Sequence, residues 1–316
     1  MPPGSSNAKS LSSSSSWRSA GRRKAIDVDD PDEKSSGDGL DRMSYREFTR
    51  LAKVVEAETG IKLPASKRVM IEGRLRKRVR ALELPDLDSY VAYVFDHGGL
   101  ESELVRLIDC VTTNKTDFFR EPDHFTLLER DLVPRMLAEW PRGAAKRLKF
   151  WSAAASTGAE AYTLAMVLAP LAAASGFDFA ILGTDICTEV LEQARQAIYS
   201  EEMLLPVPAA VRQKFVMRAR DPARREMRIV PELRQRVQFQ RLNLMADTYN
   251  AARDFDVIMC RNVLIYFSAE TQAAVLKRLS DHLKPGGYLF LGHSESMAGG
   301  QQAHLRQIVP TVFRRL

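Results

Sequence analysis

Beyond residue 125 the sequence alternates between short apolar runs and amphipathic stretches, and this alternation restricts the fold more than any other feature. The apolar runs predict strands and read RLKFWSAAA, FAILGTD, FDVIMCRNV and YLFLGHS. The stretches between them predict helices and read EAYTLAMVLAPLAAA, EVLEQARQAIY and AETQAAVLKRLSDHL. Strands separated by helices of roughly 10 to 15 residues form βαβ units, so we predict an α/β fold with a parallel sheet between two helical layers.

The two ends of this α/β part add smaller expectations. FTLLERDLVPRMLAEW, ahead of the first strand, has a helical pattern. A KPGG turn is predicted just before the last strand of the alternation. The alternating character of HLRQIVPTVFRRL predicts an added edge strand at the end of the chain.

A segment of different character, residues 212–240, interrupts the alternation. Three short β-like runs lie in it, at Lys214–Arg218, Met227–Val230 and Val237–Phe239, with a turn at Asp221 and Pro222. We therefore expect a small antiparallel β insertion inside the α/β domain.

Residues 41–113 predict a small helical domain. Ser44 followed by Glu47 is a capping box, and apolar residues at helical spacing continue until TGIKLP ends the helix. Further helices are predicted in ASKRVMIEGRLRKRVRALEL, DLDSYVAYVFDH and ESELVRLIDCVTT. In the second helix the expected apolar positions are Val69, Met70, Leu75, Val79 and Leu82.

The second helix also carries the charge excess of the chain. Between residues 67 and 80 there are seven Lys or Arg residues against one Glu, which matches the net charge of +6. Clustered charge of one sign favours docking to an acidic partner, while a solvated helix face is the alternative interpretation. Aromatic residues do not interleave with these charges, which argues against a platform for single-stranded nucleic acid.

The tail, the hydropathy and the cysteines together predict a cytoplasmic protein. Residues 1–40 hold eleven serines and six charges of each sign with few apolar anchors, which predicts a disordered tail. No apolar run reaches about 18 residues and the N-terminus is serine-rich, so neither a transmembrane helix nor a secretory signal is expected. Cys110, Cys187 and Cys260 lack companions at metal-ligand spacing, so we expect reduced thiols and no metal site.

Polar side chains at the predicted strand ends are the candidate binding residues, because ligands of open α/β sheets bind beyond the carboxyl ends of the strands. Asp185 ends one strand, where a carboxylate can accept hydrogen bonds from both hydroxyls of a ribose. N-capping of the next helix is the alternative. Asn243, Asn262 and Tyr266 follow other strands at the same rim. The small residues of WSAAASTGAE allow close approach of a ligand, although simple packing explains them equally well.

Nucleophilic chemistry is poorly supported by the sequence. Ser294 in GHSES lacks the G-x-S-x-G pattern and the strand, serine, helix order of a nucleophile elbow. Cys260 lies inside an apolar strand and is predicted to be a core residue.

Five segments spread over the chain form a joint set of motifs. They are TTNKTDFFREPDHF, WSAAASTGAEAYTLAM, ILGTDICTEVLEQARQAIY, FDVIMCRNVLIYF and LKPGGYLFLGHSES. From about Met43 to Phe313 the sequence resembles the CheR-type chemotaxis receptor methyltransferases. The resemblance implies an all-α N-terminal domain and, over 114–316, a Rossmann-like S-adenosylmethionine-dependent methyltransferase domain with a linker at 114–125. It also implies methylation of glutamate side chains of membrane chemoreceptors for sensory adaptation, with S-adenosylhomocysteine as the product.

The resemblance implies roles for individual residues as well. Arg120 and Tyr266 would face the transferred methyl group as the catalytic pair. The cofactor contacts that it implies are Asn114, Thr116, Arg120, Glu160, Asp185, Asn243, Leu244, Arg261 and Asn262. We expect Phe118 and Phe119 to anchor the linker, which keeps neither a helical nor a strand period and would cover the cofactor.

The partners follow from the same resemblance. The basic helix at 67–80 matches the family's contact with the methylation helices of receptors. The insertion matches a small β-subdomain that in some members binds a peptide at the receptor C-terminus, although its turn, ARDPARRE, lacks the glycines of those members. We therefore expect recruitment to receptor arrays, without a nucleic-acid partner and without direct membrane insertion.

The implied chemistry needs no base and no metal, because a glutamate with a pKa of about 4.3 is already ionised near neutral pH. Two rival functions remain at this stage. The pI of about 9.2 suggests a nucleic-acid methyltransferase, but CRNVLIYF lacks the proline-rich motif that holds an extruded base. The other rival is a domain that binds the cofactor or a receptor without turnover.

Overall fold

The computed structural model describes residues 42–140, 146–221, 223–295 and 304–316. The tail predicted over residues 1–40 and Pro222 of the predicted turn lie outside these ranges.

The first helices are α1 (Tyr45–Thr59), a 3₁₀ turn (Ala65–Lys67), α2 (Arg68–Ala81), α3 (Leu87–Asp96) and α4 (Leu100–Val111). Ser44 caps α1 by accepting from the backbone N–H of Glu47 at 3.2 Å, as predicted. Gly60 ends α1 in the left-handed conformation, with φ 71°.

The four N-terminal helices share one apolar core. In α2 this core takes Ile71, Leu75 and Val79, which follow one another at intervals of four residues. The expectation for Val69 and Met70 was wrong, since both are exposed, Val69 by 70%. Neither residue belongs to the row of Ile71, Leu75 and Val79, which repeats every four residues on the buried face of α2, so both point away from the neighbouring helices.

The remaining elements follow the predicted alternation. The structure has α5 (Pro122–Leu127), a π-helical turn (Leu128–Leu132), α6 (Val133–Ala138), β1 (Arg147–Ala153), α7 (Ala159–Ser175), β2 (Asp178–Asp185), α8 (Thr188–Gln196) and β3 (Ile198–Ser200). These are followed by α9 (Ala209–Phe215), β4 (Val216–Arg218), β5 (Glu226–Ile229), α10 (Pro231–Arg234), β6 (Val237–Arg241) and β7 (Phe255–Cys260). The last elements are a 3₁₀ turn (Leu264–Tyr266), α11 (Ala269–Asp281), β8 (Leu283–Leu291), β9 (Leu305–Val309) and β10 (Val312–Arg315).

The large sheet has seven strands in the order β6-β2-β1-β7-β8-β10-β9. Strands β6, β2, β1, β7 and β8 run parallel, with Phe150 of β1 opposite Ile181 of β2 and Val257 of β7. The predicted α/β class with a largely parallel sheet is therefore confirmed. Because neighbouring parallel strands end at the same edge, the residues that follow β1, β2, β6 and β7 are brought together there.

Apolar side chains cover both faces of this sheet. Successive residues of β1 point to opposite faces, so Phe150 packs in one cluster with α7 and Trp151 packs in another with α11. Cys260 is fully buried at the end of β7, and burial raises the pKa of its thiol. The prediction that Cys260 is a core residue is confirmed.

The small antiparallel sheet is confirmed, but two of its boundaries differ from the prediction. Its order is β3-β5-β4, and its first strand, Ile198–Ser200, was expected to end a helix. Ala197 ends α8 with φ 54°, a conformation usually taken by glycine, so the sequence held no signal for this break. The run Val237–Phe239 belongs to β6 of the large sheet, because it pairs in parallel with β2.

The last strands also differ from their prediction. The KPGG residues lie within β8, where the pairing with β7 shifts in register, and do not form a separate turn before it. The C-terminal residues form two antiparallel strands, β9 and β10, where one edge strand was expected. Over the ranges given above, the helices are too short or too polar to cross a membrane.

Candidate functional site

A cleft of about 1080 Å³, part of it open to solvent, lies between the N-terminal helices and the carboxyl ends of the parallel strands. Both parts of the chain line it, with Thr59, Ile61 and Lys67 on one side. All the site residues predicted from the sequence lie along this one cleft, namely Asn114, Thr116, Arg120, Glu160, Asp185, Asn243, Leu244, Arg261, Asn262 and Tyr266. The structure thus brings them together, and their individual roles remain predictions.

Asp185 is buried at the end of β2 and faces the cleft. Its two carboxylate oxygens accept from the backbone N–H groups of Ser156 at 2.8 Å and of Cys187 at 3.0 Å. Burial raises the pKa of Asp185, and these two hydrogen bonds oppose the rise. The alternative role in capping α8 is not adopted, because Thr188 begins that helix and donates to Asp109. A carboxylate has about four lone-pair sites, so Asp185 keeps capacity to accept from a ligand hydroxyl.

The linker crosses the cleft and is tied to the sheet domain by its main chain. Ser156 Oγ donates to the carbonyl of Asn114 at 2.8 Å, and the backbone N–H of Phe119 donates to Thr163 Oγ1 at 3.1 Å. The amide of Asn114 also donates to Cys187 Sγ at 3.4 Å. Phe118 is buried edge-on against Tyr199 of β3, with ring centroids 4.9 Å apart, which agrees with the anchoring role expected of it.

Arg120 and Tyr266 line the same cleft but belong to different segments. Arg120 stands where the irregular linker ends, and its guanidinium donates to the carbonyl of Lys115 at 3.3 Å. Tyr266 ends the 3₁₀ turn after β7, and Lys67 Nζ lies 5.4 Å from the centroid of its ring. Lys67, at the end of the 3₁₀ turn before α2, therefore contacts the ring of Tyr266, and Arg120 lines the same cleft.

Arg261 forms the buried centre of the cleft wall, with 2% of its side chain exposed. Its guanidinium contacts Glu160 Oε2 and Glu121 Oε2, both at 3.0 Å, and donates to the carbonyl of Arg120 at 2.5 Å. Glu160 also accepts from Ser152 Oγ at 2.7 Å. Arg261 therefore holds Glu160 and the main chain of Arg120 in place, since its own charge is matched within the protein.

Glu121 was missed by the sequence analysis, although it follows Arg120 directly. Burial alone would raise the pKa of Glu121, but a hydrogen bond from Asn262 and the charge of Arg261 lower it to about 2. His124, one helical turn later, is buried as well, and burial together with the charge of Arg261 lowers its pKa to about 4. An acidic residue at the start of a helix was the only local signal for this cluster.

Glu295 is a second buried residue that the sequence analysis missed. Its carboxylate accepts from the backbone N–H groups of Asn262, Val263, Leu264 and Gly292 at 2.6 to 2.9 Å. Asn262 has φ 62°, so this loop holds a left-handed residue without glycine. The glutamate of GHSES, and not its serine, therefore fixes the loop that carries Asn262 and Tyr266.

Asn243 joins the cleft to α1. Its side-chain amide donates to the carbonyl of Glu58 at 2.7 Å, and its side-chain oxygen accepts from the backbone N–H of Met245 at 2.9 Å. Next to it, Leu244 is buried and contributes an apolar wall. The contact with Glu58 means that the N-terminal helices close one side of the cleft.

The groups present in the cleft suit S-adenosylmethionine. A buried carboxylate with free lone pairs at the end of β2 suits a ribose diol, and the apolar wall of Leu244, Val263 and Phe267 suits the face of a purine. Glu160 adds a negative charge, which favours the cationic parts of such a ligand. The donor set therefore fits the cofactor that the sequence predicted.

Comparisons with known proteins agree with this fit. Residues 46–112 match the family model of the CheR methyltransferase all-alpha domain, and residues 114–313 match that of the CheR methyltransferase SAM-binding domain. The chemotaxis protein methyltransferase of Escherichia coli K12 is 38% identical over 81% of this chain and 86% of that protein. Chemotaxis protein methyltransferase 2 of Pseudomonas aeruginosa PAO1 is 38% identical over 84% and 92%, and the chemotaxis protein methyltransferase of Borreliella burgdorferi is 32% identical over 85% and 94%. The chain therefore belongs to the CheR methyltransferase family, whose S-adenosylmethionine-binding domain forms its C-terminal part.

Proposed function

We propose that the protein transfers a methyl group from S-adenosylmethionine to glutamate side chains of membrane chemoreceptors and so forms the methyl esters used in sensory adaptation. It would then be a protein-glutamate O-methyltransferase. The observation that carries the proposal is the convergence of Asp185 with Arg120 and Tyr266 on one cleft. A site suited to a ribose thus lies on the same cleft as a guanidinium and a phenol suited to a carboxylate.

The cofactor is held by residues of both sheet and linker in this proposal. When bound, S-adenosylmethionine supplies a methyl group activated by its sulfonium charge. Asp185 accepts hydrogen bonds from the ribose hydroxyls, while Leu244 and Asn262 line the adenosyl part. Asn114 and Thr116 cover the cleft from the linker, and Glu160 lies toward the amino acid part, held there by Arg261.

The acceptor glutamate needs orientation more than activation. Its pKa of about 4.3 leaves it ionised near neutral pH, so no residue has to remove a proton. Orientation of two reacting groups can supply roughly 7 to 11 kcal/mol of a barrier. Arg120 holds one carboxylate oxygen with its planar guanidinium, and Tyr266 donates to that carboxylate or walls the path of the methyl group.

Receptor docking is assigned to α2, but to a smaller set of charges than the sequence suggested. Three of its basic residues serve the protein itself, since Arg68 pairs with Glu72 at 3.3 Å and Arg78 pairs with Glu103 at 2.7 Å. The third, Arg74, donates to the carbonyl of Thr112 at 2.6 Å. The exposed side chains of Lys77, Arg80 and Val69 therefore form the docking face in our proposal.

The other partner assignments are part of the same proposal. Strand β4 is an edge of the small sheet, so a peptide at a receptor C-terminus can add to it as a further strand. We propose recruitment to receptor arrays through these two surfaces, with neither nucleic acid nor direct membrane insertion involved.

The test is transfer of radiolabelled methyl from S-adenosylmethionine to membranes that contain chemoreceptors. We expect label on the receptor that alkali releases, because carboxyl methyl esters hydrolyse readily in base. Alkali-stable label, or strong salt-dependent labelling of nucleic acid, would favour a nucleic-acid or amine methyltransferase. Cofactor binding without any methyl transfer would contradict the proposal and would favour a domain that signals without turnover.

Arg120 provides the sharpest variant for the same assay. Arg120→Ala should lower kcat by roughly 100-fold, in line with the loss of a charged donor at a reacting group. Arg130→Ala, an exposed arginine on the π-helical turn, is the matched control. A near-normal rate for Arg120→Ala would remove the catalytic role given to this residue.

A further inference from the structure

Three ligating side chains that the proposed reaction does not use converge beside the cleft wall. Glu121, His124 and His293 each offer one atom, and these atoms lie within 4.8 Å of one another. His124 Nδ1 is 3.5 Å from Glu121 Oε2, and His293 Nε2 is 3.9 Å from the same oxygen. Glu121 and His124 belong to the start of α5, whereas His293 lies just after β8, so the cluster joins two distant segments.

His124 directs its Nδ1 atom into this cluster, 3.5 Å from Glu121 Oε2. Its Nε2 lies 2.9 Å from Thr311 Oγ1, and Thr311 Oγ1 lies 2.6 Å from the carbonyl oxygen of Pro310, so we assign Nε2 as the donor to Thr311. In a neutral imidazole the other nitrogen, Nδ1, then carries the lone pair. The residue is 4% exposed, and its Nδ1 has no hydrogen-bond partner among the described residues.

In this tautomer the Nδ1 lone pair of buried His124 faces the carboxylate of Glu121. Neither the Nδ1 lone pair of His124 nor the ionised carboxylate of Glu121 can donate a proton to the other, although their atoms are 3.5 Å apart. Buried polar atoms without partners are rare in folded proteins, and a bound water or ion is one explanation of those that occur. A cation between the two atoms removes the conflict.

The surrounding charge favours such a cation. The guanidinium of Arg261 pairs with two carboxylates, those of Glu121 and Glu160. Within this ion-paired group two negative charges face one positive charge, which favours a cation beside Glu121. Arg261 occupies one side of Glu121 Oε2, and the two imidazoles lie on another.

We propose that Glu121, His124 and His293 form a zinc site that ties the loop after β8 to the start of α5. Two imidazole nitrogens and one carboxylate oxygen are ligands typical of Zn²⁺, with bond lengths of about 2.0 to 2.2 Å, and water completes the tetrahedron. The side chain of His293 is 53% exposed and free to close the remaining gap. This site departs from the expectation of a metal-free protein, because its third ligand lies 169 residues beyond His124, where no spacing motif reveals it.

A metal at this site would influence the cleft indirectly, through the contacts of Glu121. Glu121 binds the side chains of Arg261 and Asn262, and Arg261 in turn holds the carbonyl of Arg120. A metal on Glu121 would therefore stiffen the peptide that positions Arg120.

The experiment uses the full chain without an affinity tag, stripped of metal and titrated with Co²⁺. We expect one equivalent of Co²⁺ to bind, with the visible absorption of a four-coordinate histidine site, and Zn²⁺ to displace it. His293→Ala should weaken binding by at least about tenfold, since even outer partners of a metal cost 10- to 100-fold. His97→Ala, an exposed histidine in the N-terminal helices, is the matched control and should bind as the wild type does.

Two outcomes would overturn the site. One is no cobalt absorption at a several-fold excess of metal, together with an unchanged melting temperature in Zn²⁺, because a proton rather than a metal then satisfies His124. The other is metal binding that His293→Ala leaves unchanged, because the metal then lies elsewhere. Since neither readout involves methyl transfer, failure of this site leaves the proposed function untouched.

Discussion

Asp109, near the end of α4, accepts from the backbone N–H of Thr188 at 2.7 Å and from its hydroxyl at 2.5 Å. Thr188 is the first residue of α8, so a carboxylate from the N-terminal helices caps a helix of the α/β part. The contact is partly buried and spans 79 residues of sequence. It couples the two walls of the cleft through a charged hydrogen bond.

Removing this cap should destabilise the protein. Asp109→Ala leaves the first N–H of α8 without its acceptor, and we expect the free energy of unfolding to fall by about 1 to 3 kcal/mol. Urea unfolding monitored by circular dichroism measures the loss. Glu202→Ala, which removes an exposed carboxylate, should change it by less than about 0.5 kcal/mol. Equal stability of the two variants would show that Asp109 is not a structural cap.

Asn114 should matter for the cofactor more than for the fold. Asn114→Ala removes a cleft-lining amide that donates to Cys187 Sγ and Thr112 Oγ1. We expect affinity for S-adenosylhomocysteine to fall by about three- to tenfold, the worth of one hydrogen bond, with little change in melting temperature. Isothermal titration calorimetry tests this, with Glu129→Gln on the exposed side of the π-helical turn as the control. Unchanged affinity would exclude Asn114 from cofactor binding.

Cofactor affinity should depend on pH through Asp185. Burial raises the pKa of this carboxyl above its ordinary value, and ligand hydroxyls donate best to the ionised form. Affinity should therefore be full above the raised pKa and fall as the pH is lowered through it. Asp185→Asn should bind weakly at every pH and lose this acid dependence, which titration with S-adenosylhomocysteine across the acid range will show. An unaltered pH profile in the variant would assign the titration to another group.

Glu295 should be essential for the loop that follows β7. In Glu295→Gln the new amide group faces a backbone N–H, so two donors oppose each other where one carboxylate oxygen had accepted from Asn262 and Gly292. We expect a loss of about 2 to 4 kcal/mol in unfolding free energy, because a buried donor is left unsatisfied. Glu270→Gln, exposed in the first turn of α11, is the control. Wild-type stability of Glu295→Gln in urea unfolding would contradict this role.

The residues found from the sequence and those it missed differ in a physical way. Asp185 and Asn262 were correctly placed on one cleft because neighbouring parallel strands end at one edge of the sheet, so residues at their ends are neighbours in space. Glu121 binds Asn262, and Glu295 binds the loop at 262–264, in each case across more than 30 residues, and no local pattern reports such pairs. Position Ile198 was misassigned because the break before it has no glycine or proline. The sequence therefore predicted which residues end neighbouring strands, but it did not predict hydrogen bonds between residues far apart in the chain.

The same limit applies to the surface of α2. Val69 and Met70 are apolar but exposed, so hydrophobicity alone misassigned the buried face. Arg74 and Arg78 are charged but hold neighbouring helices through Thr112 and Glu103. Long basic side chains can serve as internal braces or as docking groups, and their neighbours decide which.

The main-chain ties of the linker to Ser156 and Thr163 bear on the timing of catalysis. A ligand seated beneath a strap fixed at both points leaves either through the remaining mouth of the cleft or after the strap lifts. If the spent product leaves only after the strap lifts, breaking these two hydrogen bonds becomes part of each catalytic cycle. The turnover rate would then depend on how often the linker detaches from Ser156 and Thr163.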